Sequence, residues 1–99
     1  MHTTSNAWNA GSNGEAYVDI LYDTAVYTTR PHIFPVLRGK SGQNNTNDIV
    51  DNLAINQVVE ITSGFRVFIF RINNGNNSSF VASLNANGGV FVEYTLIRA

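Results

Sequence analysis

The 99-residue sequence predicts an all-β domain, a six-stranded antiparallel sandwich or barrel. Apolar side chains alternate with period two along several short segments, and no window shows a 3.6-residue period bounded by helix caps. Runs rich in Asn, Gly and Ser separate these segments, which favours hairpin connections. The links are too short for the helical crossovers that a parallel sheet requires.

The first two predicted strands lie before a long polar loop. The first is AYVDILYD, residues 16–23, in which successive side chains alternate between two faces. The second is residues 33–37, which follow Pro31 and include Pro35. Because proline cannot donate a ladder hydrogen bond, we expect this strand at a sheet edge. The segment SGQNNTND, residues 41–48, is expected to be the loop.

Four more predicted strands follow that loop. In the third, residues 53–61, the apolar pair Leu53 and Ile55 is expected to share a face with Val59 and Ile61. The last three are residues 65–72 (FRVFIFRI), 80–84 (FVASL) and 90–97 (VFVEYTLI), which are separated by the turn 73–77 and by the hairpin signal 87–89.

The fourth and sixth predicted strands carry apolar side chains on both faces. In the fourth, Phe65 and Val67 lie on one face, and Phe68 and Phe70 on the other. A sheet packed on a single core alternates apolar with polar residues instead. We therefore expect a second copy of the chain to cover one face. The alternative is that loops, or the curvature of a small barrel, cover both strands.

Composition excludes several classes of function. Six basic and seven acidic residues give a net charge of −1, so the composition lacks the excess positive charge that favours binding to nucleic acid or to an anionic membrane. The absence of cysteine excludes disulfides, thiolate metal sites and a cysteine nucleophile. Fourteen asparagines and few charges suit an extracellular or virion protein that binds polyhydroxy ligands. Residues 1–14 are expected to be a linker-like segment without signal-peptide character, and residues 15–99 the domain.

Catalysis is not predicted. Asp19 and Asp23 share a strand face but lie about 13 Å apart by strand rise, too far for a glycosidase pair acting alone. An alternative hydrolase would pair Glu60 or Glu93 with one of these aspartates across a subunit boundary. No cofactor or metal motif is predicted; the remaining alternative is a metal bound by one His32 from each copy of a trimer.

Binding chemistry is concentrated in the predicted loops. Arg71 precedes the Asn-rich turn 73–77, and Arg38 and Lys40 precede the loop 41–52. Amide and guanidinium groups hydrogen-bond well to vicinal hydroxyls, although turn chemistry alone accounts for such residues equally well. Trp8, in the polar N-terminal segment, is expected to pin that segment onto the domain or onto a neighbouring subunit.

Three segments together resemble the H-type lectin domain. They are YDTAVYTTRPHIFPVL, NLAINQVVEITSGFRVFIF and VFVEYTLIRA. The resemblance implies a six-stranded β-sandwich that forms a homotrimer with sugar sites between neighbouring subunits. Domains of this kind also resemble the C-terminal tips of bacteriophage tail fibres, which implies contact with host surface glycans.

The resemblance also implies where sugar would bind. The family uses an arginine on the strand before Gly-Phe and a Trp-His pair in the loop after it; the corresponding positions here hold neither. The positions of this chain that then form the predicted carbohydrate-binding site are Arg71, Asn73, Asn74, Asp51 and Asn52, with Arg38 and Lys40 as a further contribution.

The sequence thus predicts a non-enzymatic, trimeric receptor-recognition domain of a phage tail fibre or similar viral attachment protein. Its partners would be a host cell-surface glycan and two further copies of itself, and its location the virion or another extracellular setting. The alternative is a structural module that trimerises, ends a fibre or decorates a capsid, and binds no ligand.

Overall fold

A computed structural model describes residues 2–3, 7–12, 14–39, 53–72, 81–82, 84–85 and 90–99. These residues form an all-β arrangement of antiparallel strands in two sheets. The strands are β1 (His2–Thr3), β2 (Asn9–Ala10), β3 (Ala16–Leu21), β4 (His32–Gly39), β5 (Leu53–Ile61), β6 (Gly64–Arg71) and β7 (Val90–Ile97).

The two sheets differ in size. The larger has the order β2-β3-β6-β5, and the smaller has the order β1-β7-β4. In the smaller sheet β4 is a terminal strand, which confirms the edge position expected from Pro35. The side chains of β4 alternate as expected, with Phe34 and Val36 exposed and Ile33 and Leu37 packed against the core.

Both sheets contribute side chains to one hydrophobic cluster. Strand β3 shows how the sequence selects its inner face: Ala16, Val18 and Ile20 are buried, whereas Asp19 and Leu21 are exposed. The same period of two governs β6 and β7. The buried members are Trp8, Ala16, Val18, Ile20, Leu53, Val67, Ile69, Leu84, Val90 and Val92.

Five of the six predicted strands are confirmed, with small changes at their ends, as β3, β4, β5, β6 and β7. The fifth prediction, residues 80–84, is wrong: Val81, Ala82, Leu84 and Asn85 are helical. Leu84 is 1% exposed and belongs to the core. An apolar run this short has no period that separates a strand from a buried helical turn, so burial alone produced the strand-like pattern. The predicted loop 41–48 and the turns 73–77 and 87–89 lie outside the described residues.

Strand β5 contains a bulge that corrects the expected facing of its side chains. Ile55 pairs with the buried Ile69, but Gln57 pairs with Phe68, so Asn56 is the extra residue. A bulge moves every later side chain to the opposite face. Val59 therefore lies opposite Arg66, on the outer face, and does not share a face with Leu53 and Ile55 as predicted.

The N-terminal residues contact the domain closely. Strand β2 pairs with β3, and β1 pairs with β7. Trp8 is 3% exposed; its indole Nε1 donates to the carbonyl of Val90 at 2.9 Å. Its backbone N–H donates to Asn85 Oδ1 at 2.8 Å, and Asn85 Nδ2 donates back to the Trp8 carbonyl at 3.0 Å. The expectation that Trp8 pins its segment onto the domain is confirmed.

Candidate functional site

The outer face of the four-stranded sheet brings aromatic, charged and amide side chains together. The register sets Asn9 of β2 beside Tyr17 of β3, Tyr17 beside Phe68 of β6, and Phe68 beside Gln57 of β5. In the next row along the strands, Asp19 lies beside Arg66. We call this surface the polar-aromatic face; its residues are Asn9, Tyr17, Asp19, Gln57, Arg66 and Phe68.

The charged pair of this face has a two-pronged geometry. Arg66 Nε donates to Asp19 Oδ1 at 2.8 Å, and Arg66 Nη2 donates to Asp19 Oδ2 at 3.0 Å. This hydrogen bonding to Asp19 is the largest cause that raises the pKa of Arg66 above its ordinary value, while desolvation acts in the opposite direction. A fork of this kind fixes the orientation of both groups, and the pair keeps hydrogen-bonding capacity that the fork does not use.

The Tyr17 ring packs against the arginine, and Phe68 packs against Tyr17. The Arg66 guanidinium carbon lies 4.2 Å from the centroid of the Tyr17 ring, within the range of a cation–π contact. The Tyr17 and Phe68 rings are 5.4 Å apart and inclined at 52°. Tyr17 and Phe68 are both half-buried, so the rings pack against each other and still present surface to solvent.

Two amides flank the aromatic pair. Asn9 and Gln57 are both exposed and lie at opposite ends of the row that contains Tyr17 and Phe68. Gln57 reaches this row only because of the bulge at Asn56, which moves it to the outer face. Hydrogen-bonding amides around a ring surface, beside a fixed guanidinium and carboxylate, are suited to a ligand that has both hydroxyl groups and an apolar face.

The predicted carbohydrate-binding residues lie in several places. Arg71 is 7% exposed and pairs with Leu53, so the end of β6 and the start of β5 lie side by side. Arg38 is exposed in the other sheet, and its Nε donates to Glu93 Oε1 at 2.9 Å. The remaining members of the predicted site, Asp51, Asn52, Asn73, Asn74 and Lys40, lie outside the described residues.

The carboxylates considered for hydrolysis have partners in the described part of the chain. Asp19 is held by Arg66, Glu93 by Arg38 and Glu60 by Arg30, the last at 3.5 Å. The Asp23 side chain accepts a hydrogen bond from the backbone N–H of Ala25 at 2.9 Å. His32 is exposed on β4 opposite Ile97, and no group of three potential metal ligands occurs among the described residues.

Another arginine, Arg30, binds the turn between β5 and β6. Arg30 donates to the carbonyls of Gly64 at 2.6 Å and Ile61 at 3.0 Å. Its guanidinium carbon lies 5.4 Å from the ring centroid of Phe65 and 5.8 Å from that of Tyr22. Because these bonds run to backbone carbonyls, we interpret the cluster as structural.

A surface cleft of about 140 Å³ lies beside the C-terminal residues. It is lined by Val26, Tyr27, Thr28, Thr29, Arg98 and Ala99. The Arg98 guanidinium carbon lies 5.6 Å from the Tyr27 ring centroid. Arg98 thus contacts a tyrosine ring as Arg66 does, but on a different part of the surface.

Comparisons with protein-family models, with curated proteins and with solved structures find no match for this chain. Within the part that the structure describes, no helix is long and apolar enough to cross a membrane. Sequence reasoning missed the polar-aromatic face as a site, because it assigned Tyr17, Asp19 and Arg66 to strands and searched the loops for ligands. Their alternation on strand faces was the available signal, but their adjacency depends on the strand register.

Proposed function

We propose that the chain is a non-enzymatic carbohydrate-binding domain that recognises a host surface glycan through the polar-aromatic face. The observation that carries this proposal is the Arg66–Asp19 fork held against the Tyr17 ring. A fixed guanidinium and carboxylate offer adjacent donors and acceptors to vicinal hydroxyls, and the neighbouring rings offer a surface for the apolar face of a sugar. Because Asp19, Glu60 and Glu93 are each bound by an arginine, binding is favoured over hydrolysis.

The proposed assembly is a homotrimer of β-sandwiches. Its support is the outer face of the three-stranded sheet, where Phe34 is 57% and Val36 is 52% exposed. Ile97 is also exposed, and it lies on the neighbouring strand β7 opposite His32. Exposed apolar side chains grouped on one sheet face are typical of protein contacts. In this proposal further copies cover the outer face of the three-stranded sheet. The outer face of β6, which the sequence alone suggested a second copy would cover, binds glycan instead, and three weak sites act together through avidity.

The proposed setting is the tip of a phage tail fibre or a similar virion attachment protein. It rests on the resemblance of the three sequence segments to the H-type lectin domain, and on a composition that is rich in asparagine and poor in charge. The predicted loop site around Arg71, with Asp51, Asn52, Asn73 and Asn74, stays a prediction, as does the contribution of Arg38 and Lys40.

The proposal is tested by displaying the purified domain multivalently on a glycan array and on host cells. We expect binding by the unaltered chain and its loss in Arg66→Gln, with unchanged far-UV circular dichroism. Arg98→Gln is the matched control, because it removes another arginine from a tyrosine ring outside the polar-aromatic face. Absence of glycan binding by the unaltered chain contradicts the function. Loss of binding in Arg38→Gln, with Arg66→Gln unaffected, contradicts the site and favours the predicted loops.

A ligand-free structural module is the second candidate, and the exposed apolar residues of β4 favour it. It shares the trimer with the first proposal but predicts no glycan contact. Sedimentation analysis should give three times the 10.9 kDa mass of one chain, and the double substitution Phe34→Ser, Val36→Ser should give monomers. A trimer that binds no glycan supports the structural module; a monomeric unaltered chain contradicts the assembly in both candidates.

A further inference from the structure

We infer that the polar-aromatic face takes an internal, uncharged stretch of polysaccharide that lies across the strands, and not an acidic sugar or a chain end. The inference rests on the proposed carbohydrate function and specifies its ligand. Three features carry it: the charge of the face, its extent, and the order of its side chains.

The charge of the face is balanced. The positive charge of Arg66 is compensated by Asp19 through two hydrogen bonds of 2.8 and 3.0 Å. The carboxylate of a uronic or sialic acid is bound most strongly by an arginine whose charge is not already compensated, and here Asp19 would repel it. Hydroxyl groups of a neutral sugar meet no such opposition.

The extent of the face suits a chain of sugars. Its first row crosses four adjacent strands, from Asn9 through Tyr17 and Phe68 to Gln57. With about 4.8 Å between neighbouring strands, the row is about 14 Å long, which exceeds a single sugar ring. The row is built on strands and not in the cleft, which is lined by residues 26–29, 98 and 99. Among the described residues, β2 and β5 are the terminal strands of this sheet, so no further described strand blocks either end of a bound chain.

The order of side chains along the row fits repeated sugar units. The two rings occupy its middle, and exposed amides occupy both ends. Because Arg66 already covers one face of the Tyr17 ring, the sugar would pack on the exposed part of the Phe68 ring, with neighbouring units within reach of Asn9 on one side and Gln57 on the other. Each additional unit therefore adds contacts, until the row is filled.

The test is titration calorimetry with the assembled chain. The ligands are neutral gluco-, galacto- and manno-oligosaccharides of one to five units, with oligogalacturonate and oligosialic acid as the acidic counterparts. We expect one neutral series to gain about tenfold or more in affinity between one and four units. Its affinity should change little between low and high salt, because no net charge is neutralised on binding.

Two substitutions test the charge argument directly. Asp19→Asn frees the charge of Arg66 and should raise the affinity for oligogalacturonate relative to the neutral ligand by several-fold. Arg66→Lys keeps the charge but loses the planar fork, and should weaken neutral binding by about tenfold. Far-UV circular dichroism of both variants verifies that they fold.

The possible results separate the two proposals. Tighter binding of the acidic ligands, equal affinity for one and four units, or no change of preference in Asp19→Asn overturns this inference and leaves carbohydrate recognition standing. If no sugar binds at any length or charge, carbohydrate recognition itself fails, and the inference fails with it.

Discussion

Replacing Trp8 by alanine should remove a large part of the stability of the domain. Trp8 is 3% exposed within the core cluster, and its indole N–H bonds to the carbonyl of Val90. Truncating a buried tryptophan costs about 3–5 kcal/mol, and the Val90 carbonyl left without its donor adds about 1 kcal/mol. A loss of about 4–6 kcal/mol is substantial for a domain whose total stability is expected at roughly 5–15 kcal/mol.

The assay is urea unfolding followed by far-UV circular dichroism, which does not depend on tryptophan. In thermal unfolding the same loss should lower Tm by roughly 15–50 °C. Trp8→Phe is the matched variant, because it keeps an aromatic ring but removes the bond to Val90; we expect it to lose about 2 kcal/mol. If Trp8→Ala changes the free energy of unfolding by less than about 1 kcal/mol, the interpretation of residues 7–10 as part of the folded domain is refuted.

Three further predictions concern the remainder of the fold. Gly64→Ala should lower the free energy of unfolding, measured in urea, by about 1–3 kcal/mol, because the added Cβ overlaps the backbone carbonyl of Ile20. In Gly11→Ala only the Glu15 side chain must move, so an equal loss there would contradict this reason. Arg30→Lys should lower the free energy of unfolding by about 1–2 kcal/mol, since lysine keeps the charge but cannot donate to the Gly64 and Ile61 carbonyls together. An unchanged free energy of unfolding would show that these two hydrogen bonds are dispensable. Burial raises the pKa of Tyr94 in the folded chain. The stability that neutral Tyr94 contributes is therefore fully present below the pKa of an unfolded tyrosine, about 10, and is lost as pH rises through the higher pKa of the folded state. Unfolding measured from pH 8 to 11 should show a steeper alkaline loss for the unaltered chain than for Tyr94→Phe, and equal slopes would refute the shift.

Most strands could be predicted because their signal is local. In β3, apolar side chains recur at every second position, and in β4 Pro35 indicates an edge strand without any knowledge of its neighbour. The segment FVASL illustrates the limit of that signal. Val81, Ala82 and Leu84 are helical and Leu84 is buried, and five residues are too few to reveal the difference in period.

The polar-aromatic face depends on information that the sequence does not display locally. Asp19 and Arg66 are 47 positions apart and become partners only through the register of β3 with β6. The position of Gln57 depends on the single bulge residue Asn56. Such a bulge reverses the facing of half a strand, which is why the predicted grouping of Val59 and Ile61 with Leu53 and Ile55 was wrong.

The measurement that tests the central claim most directly is NMR chemical-shift mapping of the ¹⁵N-labelled chain with the neutral oligosaccharide that binds best. We expect the largest changes at the backbone amides of Tyr17, Arg66 and Phe68 and at the side-chain amides of Asn9 and Gln57. The Arg98 amide, beside the cleft, should stay unchanged. Shifts confined to residues 40–52 and 72–77, or the absence of any shift at saturating sugar, would contradict glycan recognition by the polar-aromatic face.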